Sequence, residues 1–558
     1  MKRLFYLLSL LFTATLVLAV PAQRGIWQTL RLADGTEVKA ELRGDEFCHY
    51  WQAADGTSYI QQADSELFEV ADMTTLTKQA NELRMSANKA RMRRAPGFNK
   101  AGKIDNPYIG TKKGLIILVE FPDAYFQEGD NLELYKKIAN EENFTDEKLG
   151  FKGSVHDYFK AQSDGQLDFQ FDVVGPVEMP NRYKYYGEDY YGLGGDHRAG
   201  LMVTTACEAV DDIVNFADYD WDGDGEVDQV FVIYAGRGQA SGGGANTIWP
   251  HEGKLSGYGT GANKITLDDH VIDTYACSCE LGVNATIDGI GTICHEFSHC
   301  FGLPDMYDTR TSISKTNYGM SVWDLMDQGN YLDNSFTPVG YTSYERMACG
   351  WKQPIELSKD TVVTDMKALS DGGDTYIIYN DNHKNEYYLL ENRQKVGWDA
   401  ALYGDGLLVL HVDYDASVWD ANSVNSTNIQ RCTIFHADNL DGKATQSDIA
   451  GDPYPYLTNN SLTNTSVPEA SVRNENTDGS KLMNKDVTGI TRNGDGTMSF
   501  TFKNNSVVTG IDNITDDGNI TSAGDNRIYS IDGRYVGTDN DKLQKGIYIV
   551  NGKKVVKP

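Results

Sequence analysis

The stretch Ile293-Cys294-His295-Glu296-Phe297-Ser298-His299-Cys300-Phe301-Gly302-Leu303-Pro304-Asp305 places two histidines four residues apart, with a glutamate beside the first. On a helix that spacing sets both imidazoles on one face, near enough to share a Zn2+ ion. Glu296 is then placed to reach a water at the metal rather than the metal itself. Ile287, Ile290, Ile293, Phe297 and Phe301 carry the spacing of a buried helix around these groups. Gly302 suits a left-handed turn at the helix end and Pro304 forbids continuation, so the chain bends sharply and Asp305 can swing back as third ligand. Glu345 is the alternative third ligand, as a glutamate from a later helix.

Further along, Trp323-Asp324-Leu325-Met326-Asp327-Gln328-Gly329 offers Met326 in a tight apolar turn, which under a zinc helix is the second mark of a metzincin-type site. In such a site Zn2+ makes hydroxide available near neutral pH, and Glu296 takes the proton and returns it to the leaving amine. Tyr307, Tyr318, Tyr331 and His251 are candidates for stabilising the oxyanion. A separate run, Asp220-Trp221-Asp222-Gly223-Asp224-Gly225-Glu226-Val227-Asp228, puts carboxylates at positions 1, 3, 5 and 9 of an EF-hand-like calcium loop, with Gly225 at 6 and the Glu226 carbonyl at 7. Position 12 is Phe231 in place of the usual glutamate, which leaves Asp218 to supply the outer ligand. Bound Ca2+ would stiffen the loop entering the next strand.

The chain has 558 residues and a formal charge of −30, with Asp+Glu 80 against Lys+Arg 50. Its 20 Phe, 32 Tyr and 8 Trp are enough for packed cores, which excludes a wholly disordered chain. The acidic balance repels phosphate backbones and excludes nucleic acid as partner. Lys2 and Arg3 before an apolar run to Val20 read as a secretory signal peptide, cut after Ala19 or Ala22. No other stretch is long enough to span a bilayer, so the mature chain is expected without a membrane span, secreted or at the cell surface. Eight cysteines without a CxxC framework make disulfides optional.

The expected organisation is α+β and multidomain. After a signal peptide over 1–22 comes a pro-segment over 23–105: short strands with turns at Asp34-Gly35, Gly44-Asp45 and Asp55-Gly56, then a helix from Thr75 to Arg94. The basic cluster Arg91, Arg93 and Arg94 and the linker glycines offer an activation site. Cys48, the one cysteine in that block, could block the zinc with its thiolate or could simply be packed. Strands such as Leu115–Val119 and Gln229–Tyr234, interleaved with helices over 154–161 and 199–214, indicate an α/β catalytic domain over 106–350. Regularly spaced short strands then indicate a β-sandwich over 351–505. His411 and His436 fall on strands there and read as structural. A linker over 506–525 and a small β-unit over 526–558 complete the chain, with hairpin turns at Asp532-Gly533 and Asn551-Gly552.

The motifs resemble the M6 family of secreted metallopeptidases, the immune inhibitor A type. The resemblance is carried by GLIILVEFPD at 114–123, GSVHDYFKAQSDGQLDF at 153–169, VFVIYAG at 230–236 and IWPHEG at 248–253. It continues through HEFSHCFGLPDMYD at 295–308, VWDLMDQG at 322–329, ERMACGW at 345–351, EYYLLENRQKVGWD at 386–399 and GLLVLHVDY at 406–414. It implies a zincin, metzincin-like α/β domain and a zinc endopeptidase that acts on proteins or peptides, with its catalytic residues on the 293–305 stretch. Cys300 and Met306 stand where polar or charged residues are commoner in the family, which bears on specificity. Lys545–Val550 and the terminal Lys553–Lys557 resemble the C-terminal sorting domains of type IX secretion, or form a small unit that caps its neighbour. The reading from another class is a catalytically silent, calcium-dependent surface adhesin on the same fold. Glu296 argues against it, because a binding module has no use for a general base.

Overall fold

Leu115-Ile116-Ile117-Leu118-Val119 is buried at every position of the strand Gly110–Glu120, as a continuous apolar run requires when both faces of a sheet are covered. The computed structural model describes residues 17–18, 20–62, 65–88, 108–188, 196–257, 262–310, 317–440, 445–505, 528–531, 534–537, 542–550 and 553–557. In it this strand belongs to a six-stranded sheet. The order is Val17–Leu18, His251–Lys254, Thr274–Leu281, Val230–Arg237, Gly110–Glu120, Leu167–Glu178. The last four strands are parallel. His251–Lys254 runs antiparallel to Thr274–Leu281, and Val17–Leu18 pairs antiparallel with its outer side.

Alternate residues of the central strands serve two cores. Leu115, Ile117, Val119, Val230 and Val232 pack with Met202, Val203 and Ala206 of the helix Ala199–Val210. Ile116, Leu118, Phe231 and Ile233 pack on the other face with Val155 and Phe159 of the helix Val155–Gln162, and with Phe297 of the helix Gly291–Cys300. The Ser154–Asp157 capping box starts Val155–Gln162 by satisfying orphan N–H groups at its first turn.

In the five-stranded sheet Ile355–Glu356, Tyr376–Tyr379, Glu386–Arg393, Gly406–Asp413, Cys432–Ile434, the two strands Glu386–Arg393 and Gly406–Asp413 are buried on both faces. Tyr388, Leu390, Leu407 and Val409 meet Val363, Met498, Phe500 and Phe502 of a three-stranded sheet. Tyr387, Leu389, Leu408 and Leu410 belong instead to the core that holds Phe297 and Trp323. The hydrophobic core is therefore continuous across residues 350 and 351. Glu386–Arg393 and Gly406–Asp413 are buried at all positions, which is why these strands show no clean polar alternation.

Near the N-terminus, Trp27–Arg31, Glu37–Asp45, Cys48–Ala53, Ser58–Gln61 and Phe68–Val70 form an antiparallel meander, followed by the helix Met73–Asn88. Gly44-Asp45, expected as a turn, ends a strand: Gly44 has φ +104° and a Cβ there would lie 2.0 Å from the Cys48 carbonyl oxygen. The basic cluster at Arg91, Arg93 and Arg94 and the linker over 506–525 lie outside the described residues. All eight cysteines are buried and none forms a disulfide among the described residues. No helix among the described residues is long and apolar enough to cross a membrane. Residues 1–507 and 508–558 separate as two units. In the second, Tyr535–Gly537, Ile528–Ser530, Gly546–Val550 and Lys553–Lys557 form a four-stranded sheet, in that order.

Leu410→Ala removes a fully buried side chain from the core shared with the site helix. It should destabilise the protein by about 2–5 kcal/mol. Urea denaturation followed by fluorescence and by circular dichroism should give one coincident, shifted transition. Separate transitions for the 351–505 sheets and the rest would contradict a continuous core.

Candidate metal centre

The helix Gly291–Cys300 is buried at every residue. It is shorter than the apolar spacing implies: Ile290 is its N-cap and Ile287 precedes it, bridged to Leu281. Crossing backbone sets the start, because a Cβ on Gly291 would lie 1.9 Å from the Asn330 carbonyl oxygen, and Gly291 N donates to Ser335 O. Gly302, with φ +83°, ends the helix as its position requires.

His295 and His299 turn their Nε2 atoms to one point. Each Nδ1 lies 2.8 Å from a carbonyl oxygen, that of Leu325 for His295 and of Leu303 for His299. A carbonyl can only accept, so each Nδ1 carries a proton and Nε2 is the ring atom left to face a metal. Asp305 Oδ1 lies 3.3 Å from His295 Nε2 and 3.5 Å from His299 Nε2, and the three donor atoms fall within 4.8 Å of one another, all buried. Burial works against the Asp305 charge, but His299 and His295 outweigh it with help from Asn422, and hold its carboxyl below the usual range. Two imidazoles and a buried carboxylate are a donor set that suits a metal site with a position left open.

Met326 is fully buried in the turn beneath His295, whose partner carbonyl belongs to the preceding Leu325. Met306 N donates to Met326 O, so the turn and the segment after the helix hold each other. Glu345 is used elsewhere. Its Oε2 accepts from Thr342 N at 2.7 Å and Thr342 Oγ1 at 2.9 Å, which caps the helix Ser343–Ala348. Glu296 is fully buried, and Gln229 Nε2 donates to its backbone carbonyl. Burial, then the charges of Asp305 and Glu252, push the Glu296 carboxyl well above the usual range.

Residues 104–348 match the immune inhibitor A peptidase M6 catalytic domain. They form an M6-family peptidase domain. Two relatives are each 26% identical to the chain. Pre-pro-metalloprotease PrtV of Vibrio cholerae serotype O1 aligns over 282 residues, 42% of this chain and 29% of the relative. Immune inhibitor A of Bacillus thuringiensis subsp. alesti aligns over 309 residues, 46% of this chain and 43% of the relative. The chain thus spans less than half the length of the curated relatives it matches.

The matched residues do not by themselves complete the candidate metal site. Asn422, beyond the matched residues, accepts from Asp305 N at 2.7 Å through Oδ1 and donates to Asp305 Oδ2 at 2.6 Å through Nδ2. Asn425 Nδ2 donates to Met306 O and Ser426 Oγ accepts from Thr309 N, so one loop of the β-region clasps the whole segment after the helix. Spacing in the sequence carries no signal for these contacts.

Of the acidic loop, Asp220, Asp222 and Asp224 bring their carboxylates within 4.8 Å of one another. Gly223 and Gly225 take positive φ and donate their N–H groups to Asp220. The Asp228 carboxylate accepts from Trp221 N at 2.5 Å, Glu226 bridges to Val271, and Asp218 pairs with Lys113 at 2.9 Å. Those last three carboxylates stand outside the triad. Cys48 packs with Phe47, Met73, Leu76 and Ala80, in a cluster separate from the one around the metal donors, so its thiol is a core group rather than a zinc block. His251 is held between Trp249 O and the Tyr275 hydroxyl, and the Tyr318 hydroxyl donates to Asp452. The Tyr331 hydroxyl donates to Pro21 O at 2.8 Å.

Metal content separates these assignments. Asp305→Ala should empty the site, and Asn422→Ala should weaken zinc binding by about 10–100-fold as the lost support of a ligand. Glu345→Ala should leave zinc bound while costing about 1–3 kcal/mol for the unsatisfied cap. Elemental analysis and thermal melts of the purified variants check all three.

Proposed function

We propose that this chain is a secreted zinc endopeptidase of the metzincin-like kind, made as a proenzyme, with Zn2+ held by His295 Nε2, His299 Nε2 and Asp305. The observation that carries the reading is the convergence of three buried donors beside a fourth buried group, Glu296, that binds none of them. Zn2+ in such a site supplies Lewis acidity towards water and a peptide carbonyl. Glu296 acts as general base on the attacking water and passes the proton to the leaving nitrogen. The Val20 N–H, 3.2 Å from Glu296 Oε1, supports this, since an amide nitrogen fits within proton-transfer reach of the carboxylate. Leu303, Leu325 and Asn422 keep the donors aimed without themselves reacting.

Calcium at Asp220, Asp222 and Asp224, with the Glu226 carbonyl and Asp228 as further ligands, belongs to the same reading. Three carboxylates this close repel one another unless a cation sits among them. Export rests on the leader-like residues 1–22, and the likeness of 526–558 to sorting sequences adds the type IX route.

Glu296→Gln keeps the shape of the side chain and removes the base. Casein or peptide hydrolysis should fall by about 10²–10⁴-fold while zinc content stays at the wild-type level. Near-normal hydrolysis would overturn the assigned role, and absence of any chelator-sensitive hydrolysis in the wild type would favour the silent adhesin. For calcium, the melting temperature of the zinc-loaded protein should climb with the logarithm of added Ca2+. Asp222→Asn with Asp224→Asn should flatten that climb and spare zinc. A melting temperature indifferent to millimolar Ca2+ removes calcium from the reading.

A further inference from the structure

One peptide unit of the methionine turn is held at both ends. The Leu325 carbonyl lies 2.8 Å from His295 Nδ1, and the Met326 N–H of the same planar unit donates to Asp324 Oδ1 at 2.8 Å. The position of the Asp324 carboxyl therefore sets where that carbonyl aims, and with it the ring of His295. Asp324 also closes the turn through its main chain, since Gly329 N donates to its carbonyl at 3.1 Å.

The other Asp324 oxygen faces a second acid. Asp324 and Glu345 are both fully buried and stand within hydrogen-bond reach of each other. Neither Asp324 Oδ2 nor Glu345 Oε1 receives a nitrogen or hydroxyl donor among the described residues. Their remaining oxygens are committed, that of Asp324 to Met326 N and that of Glu345 to Thr342. Two carboxylates this close in a dry interior cannot both keep a charge. Burial pushes both carboxyls up, that of Glu345 to about 7, and the Glu345 charge raises Asp324 further.

The surrounding groups leave the pair to itself. Arg393 draws Glu345 down, but its donors are engaged by Asp399, Glu391 and the carbonyls of Gly340 and Trp323. Glu391 and Asp327 add negative charge. Cys432, Cys349, Tyr158 and Tyr341 are kept neutral by burial.

We propose that Asp324 and Glu345 share one proton between Oδ2 and Oε1, and that this bridge positions His295 by fixing the Leu325–Met326 peptide. Both are positioning residues, outside the donor set. The bridge ties the methionine turn to the helix Ser343–Ala348, whose capping box holds Glu345 in place. The inference rests on the metal reading of His295, His299 and Asp305. A carboxyl raised in the folded state favours the protonated form, so the bridge holds through neutral pH and is lost on the alkaline side. Its loss sets two anions face to face and frees the peptide that aims the imidazole.

The test times zinc transfer from the full-length loaded protein to a chelating dye, from about pH 6 to about pH 9.5. Over that range wild-type release should accelerate at least about tenfold more than release from Glu345→Gln, the effect of one hydrogen bond to a charged group. The amide accepts from Thr342 through its oxygen and donates to Asp324 through its nitrogen, so it keeps the bridge with no proton to lose. Asp324→Asn should flatten the profile likewise, and Asp324→Leu should release zinc fast at every pH. The infrared band of a protonated carboxyl, present in the metal-free wild type at neutral pH, should weaken in both amide variants. Parallel release profiles for wild type and Glu345→Gln, or an unchanged band, overturn the proposal even if the variants melt differently. A weakened band in a protein that binds no zinc in any form keeps the shared proton and refutes the metal reading.

Discussion

Two imidazoles and a carboxylate can face one another in a dry interior only if each is fixed by a second hydrogen bond, and that requirement organises the molecule. His299 takes its partner from Leu303, just past its own helix. His295 takes its partner from Leu325 in the methionine turn, and Asp305 takes Asn422 from the β-region. Three segments far apart in the chain must therefore meet at one point. The sharp turn at Gly302, the Met306–Met326 backbone bond and the loop around Asn425 are the means by which they do.

The five-stranded sheet makes that meeting permanent. One of its faces closes the sandwich and the other completes the core around the site helix. Arg393 joins the two parts at atomic scale. Its guanidinium donates to Asp399 and Glu391 and to the carbonyls of Gly340 and Trp323, and Trp323 is part of the methionine turn. A fully buried arginine is tolerable only when its donors are engaged in this way, and removal of one partner would leave a buried charge uncompensated. The β-region thus acts as the rear wall of the metal centre and supplies one of its supporting side chains.

The cleft has the opposite character. The strand His251–Lys254 is met on its outer side by the backbone of Val17–Leu18 through ladder pairing alone. Its neighbours His251 and Tyr275 are locked to each other inside the sheet, and burial holds the His251 imidazole neutral with a pKa pushed down to about 4. The strand is therefore held behind by side chains and paired in front by backbone alone.

The sequence by itself determined the spacing of the candidate metal donors and most of the strands. Local rules sufficed for the HExxH spacing, the Gly302-Pro304 stop, the buried run at 115–119 and the acidic loop, because each depends on residues within one or two turns of chain. Periodicity overstated the site helix, since Ile287 and Ile290 are buried by the sheet rather than by helical continuation. Only the tertiary structure brings the Asp305 carboxylate, and not that of Glu345, to the two imidazoles, while Glu345 stays in the capping box with Thr342. It likewise decided that Cys48 is a core residue, that Asn422 supports Asp305 and that Val20 lies against Glu296. Each of these is a contact across tens to hundreds of residues. Such contacts are chosen by packing, on which the local pattern of the chain is silent.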